Sequence, residues 1–451
     1  MRPRFGTDGV RGVANAELTP QFVLDLGRVA ARLLGDGGSF LIGRDTRQSG
    51  AMFAAAFAAG AASSGAAVID LGVLPTPCVA YLAGVHGAPA AVISASHNAY
   101  ADNGVKLFAT GGQKLTDEQE AAVEAALDAV PQSNGPVAGP TAADVGTVSS
   151  AEHLSQLYAA HLISALEGRD LSGLRVVLDC GHGAASALAG PAFVAAGADV
   201  TVLNADPDGT NINAGCGSTD PSGLQEAVRR GHAHLGMAFD GDADRVVAVD
   251  ADGNLVDGDH IIAVAAIDLK ERGALVDDTV VVTVMTNLGF RLAMEHHGIT
   301  VVETPVGDKH VLRTLLERGW SVGGEQSGHV IFPQHATTGD GMLTGLLLAD
   351  AVKRAGRPLA DLASSAMTRL PQVLKNVKVA ERRADIAALL ADDIASVEAE
   401  LGRTGRVLIR PSGTEPVVRV MVEAASEPLA EQAAQRLAAA VERVAGAEPL
   451  T

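Results

Sequence analysis

The sequence predicts an α/β protein of three similar mixed α/β units followed by a smaller C-terminal α+β unit. Three observations carry this. Strand-like apolar runs alternate with helical periodicity along most of the 451 residues. The alternation restarts after a Pro-, Gly-, Ser- and Thr-rich stretch at 131–150, and again near 250. From about 370 the pattern changes to two strands flanking a loop and a closing helix. The expected domains are 1–148, 149–249, 250–367 and 368–451, and no short-period repeat is present.

In the first unit, Thr19-Pro20 reads as an N-cap with proline at the first helical position. Phe22, Leu26, Val29, Ala30 and Leu33 then recur at helical spacing. Phe40–Gly43, Ala67–Leu71 and Ala90–Ile93 read as strands, and Thr116–Gln119 has capping-box spacing ahead of an alanine-rich helix. The second unit offers strands at Leu174–Asp179, Val200–Leu203 and Leu235–Phe239, with a helix around Leu224–Arg230. The third offers Val280–Val284, a helix from Leu288 to His297, Thr300–Val302, a glycine-rich turn after Ser321-Val322 and a long helix near 340–355. Arg406–Ile409 and Val417–Val422 frame the last loop.

Composition narrows the function. Hydrophobic residues make up 47% and charged residues 19%, which excludes a largely disordered chain. Aromatic residues are 3%, so a base-stacking surface is not expected, and a formal charge of −19 opposes nucleic acid and anionic membranes as partners. A small anionic substrate then requires sharp local clusters of donors. Cys78, Cys180 and Cys216 are far apart and read as reduced intracellular thiols. The N-terminus has no apolar signal-peptide core, and the charge-free stretches 48–69 and 71–101 do not read as membrane spans, so a cytoplasmic protein is expected.

The strongest local signal is Phe239-Asp240-Gly-Asp242-Ala-Asp244-Arg245 at the end of an apolar strand. In extended backbone these three carboxylates project to one side, and they would repel one another without a hard cation such as Mg²⁺. An EF-hand fails, because Arg245 and Ala251 stand where that loop needs Gly and Glu. Asp250-Ala-Asp-Gly-Asn254 reads as a hairpin turn only. A second strand breaks into Ile93-Ser94-Ala-Ser96-His97-Asn98, where Ser96 alone is as good a turn former as a nucleophile and no Gly-x-Ser-x-Gly elbow exists. Lys106, taken alone, reads as a surface lysine able to lend charge to that loop. Arg410-Pro-Ser412-Gly413-Thr414-Glu-Pro, followed by Arg419, joins guanidinium groups, hydroxyls and a glycine, which is a phosphate-binding set. Gly323-Gly-Glu325-Gln-Ser327-Gly-His329 could clasp sugar hydroxyls, though unaided it reads as a polar loop. Asp179-Cys-Gly181-His-Gly183 lacks the spacing of a dinucleotide fingerprint, and His296-His297 cannot face one metal from a helix.

Taken together and in order, these motifs resemble the α-D-phosphohexomutase superfamily across essentially the whole chain. Phe5-Gly-Thr-Asp-Gly-Val-Arg11-Gly is similar to its opening signature, and the Ser96, Asp240–Arg245, Gly324–His329 and Arg410–Pro416 segments to its phosphoserine, metal, sugar and phosphate loops. The opening, the Gly-Glu-Gln-Ser-Gly-His form and Cys216-Gly-Ser-Thr resemble the bacterial members acting on glucosamine phosphates. One departure is Asn98-Ala99-Tyr100 in place of Asn-Pro-Tyr. Losing proline frees φ and restores an N–H, which puts loop rigidity in question while keeping every reactive group.

The resemblance implies four domains around a central active-site cleft and interconversion of glucosamine 6-phosphate and glucosamine 1-phosphate. Phosphorylated Ser96 would form glucosamine 1,6-bisphosphate, with that compound or glucose 1,6-bisphosphate as primer. It further implies Mg²⁺ on Ser96, Asp240, Asp242 and Asp244, and charge or proton roles for Arg11, His97, Lys106 and Arg245. Glu325, Ser327 and His329 would hold the sugar, and Arg410, Ser412, Gly413, Thr414 and Arg419 the distal phosphate. A phosphosugar is the expected partner and a homodimer the expected assembly. The rivals are the same chemistry on glucose or mannose phosphates, a phosphoserine hydrolase, and a silent sugar-phosphate binder.

Overall fold

The computed structural model describes residues 3–6, 8–35, 38–130, 139–380, 383, 385–411 and 416–445. They divide into two compact bodies, one of residues 1–285 and 299–364, the other of 286–298 and 365–451.

The first body contains three sheets that share a plan: parallel strands in the middle, then an antiparallel return. In the first, Ser39–Arg44 runs parallel to Ala67–Val73 and to Ala90–Ile93, and Ala90–Ile93 turns back into Asp102–Ala109. In the second, Arg175–Asp179 runs parallel to Asp199–Leu203 and to Leu235–Phe239, which turns back into Val246–Asp250. In the third, Thr279–Thr283 runs parallel to Thr300–Thr304 and to Gly323–Gly324, which turns back into Val330–Ile331. The connections after Ile93, Phe239 and Gly324 therefore occupy equivalent places, each at the carboxyl end of the parallel strand that begins the return. That end is where open α/β sheets bind ligands. The Ser96, Asp240–Arg245 and Gly324–His329 segments lie on these three connections.

Local chemistry explains the elements. The Pro20–Leu34 helix starts where Thr19 accepts a hydrogen bond from the Phe22 N–H, and it buries Phe22, Val23, Leu26, Val29 and Ala30. Leu33 lies outside that stripe and is exposed, whereas the neighbouring Leu34 packs against the core. The capping box at Thr116 and Gln119 forms as expected and starts the Asp117–Ala129 helix. The charge-free stretch after residue 48 becomes the Gly50–Ala62 helix, packed on the Pro20–Leu34 helix, and its small residues permit the close approach. The end of the 131–150 stretch is structured: Val148–Ser150 adds a parallel edge strand to the first sheet beside Ala67–Val73. Asp250 accepts from the Asp252 and Asn254 amides and closes the expected hairpin into Leu255–Val256.

The second body is an antiparallel three-stranded sheet with Val417–Glu423 at its centre, covered by the Glu427–Ala445 helix. It also includes the Leu288–His296 helix. Buried Glu423 holds that helix by accepting from Asn287 Nδ2 and the Leu288 amide at 3.0 Å, and it pairs with Arg406 at 2.9 Å. No helix among the described residues is long and apolar enough to cross a membrane.

Candidate active site

Asp240, Asp242 and Asp244 converge as the sequence leads one to expect, but by a different route. The segment after Phe239 is a turn rather than extended chain, since it must reverse into the antiparallel Val246–Asp250 strand. Ala243 takes up the reversal at φ 56°. All three aspartates are buried, with one oxygen from each within 4.8 Å of the others. Asp242 Oδ1 and Asp244 Oδ1 have no hydrogen-bond partner among the described residues. Burial, then Asp244 and Asp242, push the Asp240 carboxyl well above the ordinary carboxylate range. A buried all-oxygen set with orphaned acceptors and mutual repulsion fits a hard divalent cation.

Ser96 meets this cluster directly. Its hydroxyl donates to Asp240 Oδ2 at 2.5 Å and lies 3.3 Å from His97 Nδ1. Gly241 lets the two loops touch, as a Cβ there would stand 2.6 Å from the Ser96 carbonyl oxygen. Burial, then the Arg245 and Arg11 guanidinium groups, lower His97 to about 4, so its ring is neutral near pH 7. Its Nδ1 accepts from Arg245 Nη1 at 3.2 Å.

Lys106 is not a surface lysine. It is buried, with Nζ at 2.7 Å from carboxylates of Asp8, Asp242 and Asp244. Burial opposes its charge, but Asp242, Asp244 and Asp8 outweigh burial and hold its pKa well above the usual lysine value. Arg11 pairs with Asp8 at 3.0 Å and reaches the Ala95 carbonyl at 3.4 Å.

The third connection closes the site. The Val246 amide donates to the Gly328 carbonyl at 3.1 Å, and Gly328 is required at φ 90° because a Cβ would lie 2.0 Å from the Val246 carbonyl oxygen. His329 is thereby placed 3.7 Å from Asp244 and 3.2 Å from Asp308. Burial works against its charge, while Asp308 and Asp244 favour it and raise its pKa to about 10. The Gly339 amide donates to Nε2 at 2.9 Å, which favours the ring with its proton on Nδ1. Glu325 is half-buried and accepts from the Gly307 amide at 3.1 Å. Ser327 is exposed at the turn, outside the set that lines the cavity.

That cavity measures about 460 Å³ and is lined by Asp8, Arg11, Asp244, Arg245, Asp308, Glu325 and His329, among others. A larger one, about 550 Å³, is walled by Ile261, Leu269, Leu348 and Trp320 and holds none of these groups. Sequence reasoning missed Asp8, Lys114 and Asp308. Lys114, half-buried on a two-residue strand, pairs with Asp8 at 3.0 Å and with Asp308. Asp308 follows Gly307 at a helix start and looks like an ordinary first-turn acid. The four cations Arg11, Lys106, Lys114 and Arg245 meet six carboxylates, those of Asp8, Asp240, Asp242, Asp244, Asp308 and Glu325. A divalent cation neutralises that excess, which lets a phosphate ester approach.

Behind His329, buried Asp340 caps the Gly341–Ala355 helix at the Leu343 amide and accepts from Tyr158. Burial pushes its carboxyl from 3.8 up to about 6. A carboxyl raised by folding binds its proton more tightly in the native state, so its stabilising effect is present at low pH and lost as pH rises from about 4 through about 6. Asp340→Asn keeps the cap and the tyrosine partner without the charge. It is expected to remove that slope and to stabilise the protein at pH 7.5 by up to about 3 kcal/mol, read from urea unfolding across pH. An unchanged slope would contradict the assignment.

In the second body, Arg410 and Arg419 stand directly opposite across the Arg406–Pro411 and Val417–Glu423 pair. Like charges opposite one another destabilise a sheet unless an anion lies between them. Ser412, Gly413 and Thr414 lie outside the described residues.

Four family models match in order: Phosphoglucomutase/phosphomannomutase alpha/beta/alpha domain I at 2–134, domain II at 151–253, domain III at 257–370 and the C-terminal domain at 374–440. The chain is 54% identical to a phosphoglucosamine mutase of Streptomyces avermitilis over 98% of this chain and 99% of that protein. It is 52% identical to one of Rhodococcus opacus over the same shares. A solved structure described as a putative phosphomannomutase from Thermus thermophilus superposes with a TM-score of 0.78 at 25% identity, covering 98% of this chain and 99% of that one. An Aspergillus fumigatus N-acetylphosphoglucosamine mutase shares the fold at a TM-score of 0.68 and 20% identity, covering 99% and 96%. With its loops in family order and relatives above 50% identity from end to end, the chain belongs to the phosphoglucosamine mutases of the phosphoglucomutase/phosphomannomutase family.

Proposed function

We propose that the protein interconverts glucosamine 6-phosphate and glucosamine 1-phosphate by passing a phosphoryl group through Ser96. The observation that carries this is the Ser96 hydroxyl held 2.5 Å from Asp240 in a buried acidic triad. Its near neighbours in sequence bear the corresponding name.

Phosphoryl transfer depends on position and charge neutralisation. Ser96, Asp240, Asp242 and Asp244 would hold Mg²⁺, which when bound neutralises phosphoryl oxygens and stabilises the charge of the transferring group. In the forward half-reaction the bond from phosphorus to Ser96 Oγ breaks as a bond to the sugar oxygen forms, giving glucosamine 1,6-bisphosphate. The sugar hydroxyl proton passes to the neutral His97 ring and is returned to Ser96 Oγ, 3.3 Å from Nδ1. Arg11 and Arg245 offset charge beside the cavity, and Lys106 keeps the triad from repelling itself. Glu325, Ser327 and His329 hold the sugar. Arg410, Ser412, Gly413, Thr414 and Arg419 grip the phosphate that is not reacting, and the opposed arginines support that role. The bisphosphate turns over and returns its other phosphate to Ser96.

Priming by glucosamine 1,6-bisphosphate or glucose 1,6-bisphosphate, a homodimeric cytoplasmic enzyme, a product used for amino-sugar nucleotide synthesis and boundaries after 148, 249 and 367 complete the reading.

A ³¹P NMR time course tests it, with protein, Mg²⁺, catalytic sugar bisphosphate and equal glucosamine, glucose and mannose 6-phosphates. Fastest growth of glucosamine 1-phosphate is expected. A faster neutral sugar would overturn the substrate, and free phosphate alone would overturn the mutase.

A further inference from the structure

Ser96 adopts φ 52°, a left-handed conformation that a β-unbranched, non-glycine residue occupies only when its surroundings over-determine it. The loop carries Ala99 where proline would otherwise have fixed one torsion. Something else must hold the turn, and the hydrogen bonds identify it.

Arg47 is 2% exposed and aims its whole fork into this loop. Nη2 donates to the carbonyls of Ser96 at 2.9 Å and Asn98 at 2.8 Å; Nη1 donates to those of Asp102 at 3.0 Å and Ala99. One planar group thus gathers four carbonyls from a seven-residue stretch, a geometry that lysine cannot copy. The guanidinium is itself fixed, because Nε donates to buried Asp45 at 2.9 Å. Asp45 also accepts from Ser94 Oγ at 2.7 Å, and Ser94 Oγ accepts from the Ser96 amide at 2.9 Å. Both ends of the Ser96 peptide backbone are therefore tied to one ion pair. Asn213 Nδ2 supplies a second, weaker hold on the Ser96 and Asn98 carbonyls at 3.0 and 3.2 Å. Arg47 touches neither the triad nor the residues that line the cavity.

We infer that Arg47, braced by Asp45, is the positioning residue that holds Ser96 in its left-handed turn and so aims Oγ at Asp240. This rests on the mutase reading, in which that aim sets the rate of transfer. Because Arg47 is remote from the sugar-holding groups, its loss should act on kcat and spare KM. A misplacement of the order of 1 Å costs about 100-fold in rate.

The test compares Arg47→Lys and Asn213→Ala with wild type, measuring kcat and KM for glucosamine 6-phosphate per folded chain. Thermal melts give the folded fraction. Arg47→Lys is expected to lower kcat about 100-fold with KM within threefold, and Asn213→Ala to lower kcat about tenfold in the same pattern. A kcat within threefold of wild type for folded Arg47→Lys overturns the assignment, as does a rise in KM that matches the fall in kcat. If Arg47→Lys does not fold, Asn213→Ala decides: lowered kcat at constant KM supports the brace, and unchanged kcat overturns it. Wild-type turnover in the same assay separates the two failures. If wild type does not isomerise the sugar, the mutase reading falls and takes this assignment with it.

Discussion

Ser96→Ala is expected to reduce isomerisation by at least about 10⁴-fold, the scale on which enzymes lose a covalent nucleophile. The change deletes one oxygen and little else. Ser96 is buried, its backbone remains tied to Arg47, Asn213 and Ser94, and the lost hydrogen bond to Asp240 contributes about 1 kcal/mol. Substrate affinity should therefore persist, because Glu325, His329 and the cavity wall are untouched. Intact mass after incubation with glucose 1,6-bisphosphate should show one added phosphoryl group on wild type and none on the variant. Near-wild-type activity in Ser96→Ala, purified from a host lacking its own mutase, would end the assignment.

The second large effect separates activity from stability. Asp240→Asn is expected to lower kcat by about 10³-fold while raising the melting temperature. The activity loss follows because Asp240 is both a donor in the triad and the partner of Ser96 Oγ. The gain in stability follows from the cause of its raised pKa: burial first, then repulsion by Asp244 and Asp242. A neutral amide of the same shape removes both penalties; its Oδ1 can accept from the Arg245 amide at 3.2 Å, while its Nδ2, in place of Oδ2, donates to Ser96 Oγ. About 1 kcal/mol is the expected gain, or roughly 1–2 °C for a body of this size. Calorimetry in metal-free buffer gives the cleanest comparison, since a bound cation would stabilise wild type by linkage. A lower melting temperature in that buffer would mean that Asp240 is not a strained acid. Saturating EDTA should bring wild type down to the activity of the variant.

Most of the parallel strands were legible because each is a short apolar run; Gly323–Gly324, which read as a glycine-rich turn, is instead a strand paired with Thr279–Thr283. Leu235–Phe239 and Ala90–Ile93 have in the structure the bounds the sequence suggests. The loops were legible because polar residues end those runs abruptly at Ser94 and Asp240. What the sequence concealed is long-range. Lys106 looks like a surface lysine until the first sheet is set against the second, where it meets Asp242 and Asp244. Arg47 reads as part of a polar strand end, and its four carbonyl partners lie 49 to 55 residues away along the chain. Asp8, Lys114 and Asp308 form one charged row only after three distant segments meet. The Gly50–Ala62 helix has no amphipathic stripe because it is apolar nearly all round, and so periodicity could not reveal it.

The most direct measurement is a single-turnover chase of the phosphoenzyme. Protein labelled on Ser96 with ³²P from glucose 1,6-bisphosphate would be freed of excess label, mixed with unlabelled glucosamine 6-phosphate and Mg²⁺, and quenched over milliseconds to seconds. The mechanism predicts that label leaves Ser96, appears first in glucosamine 1,6-bisphosphate and then in glucosamine 1-phosphate, with no lag between loss and gain. Label retained on the protein while product forms, or label released only as inorganic phosphate, would contradict it.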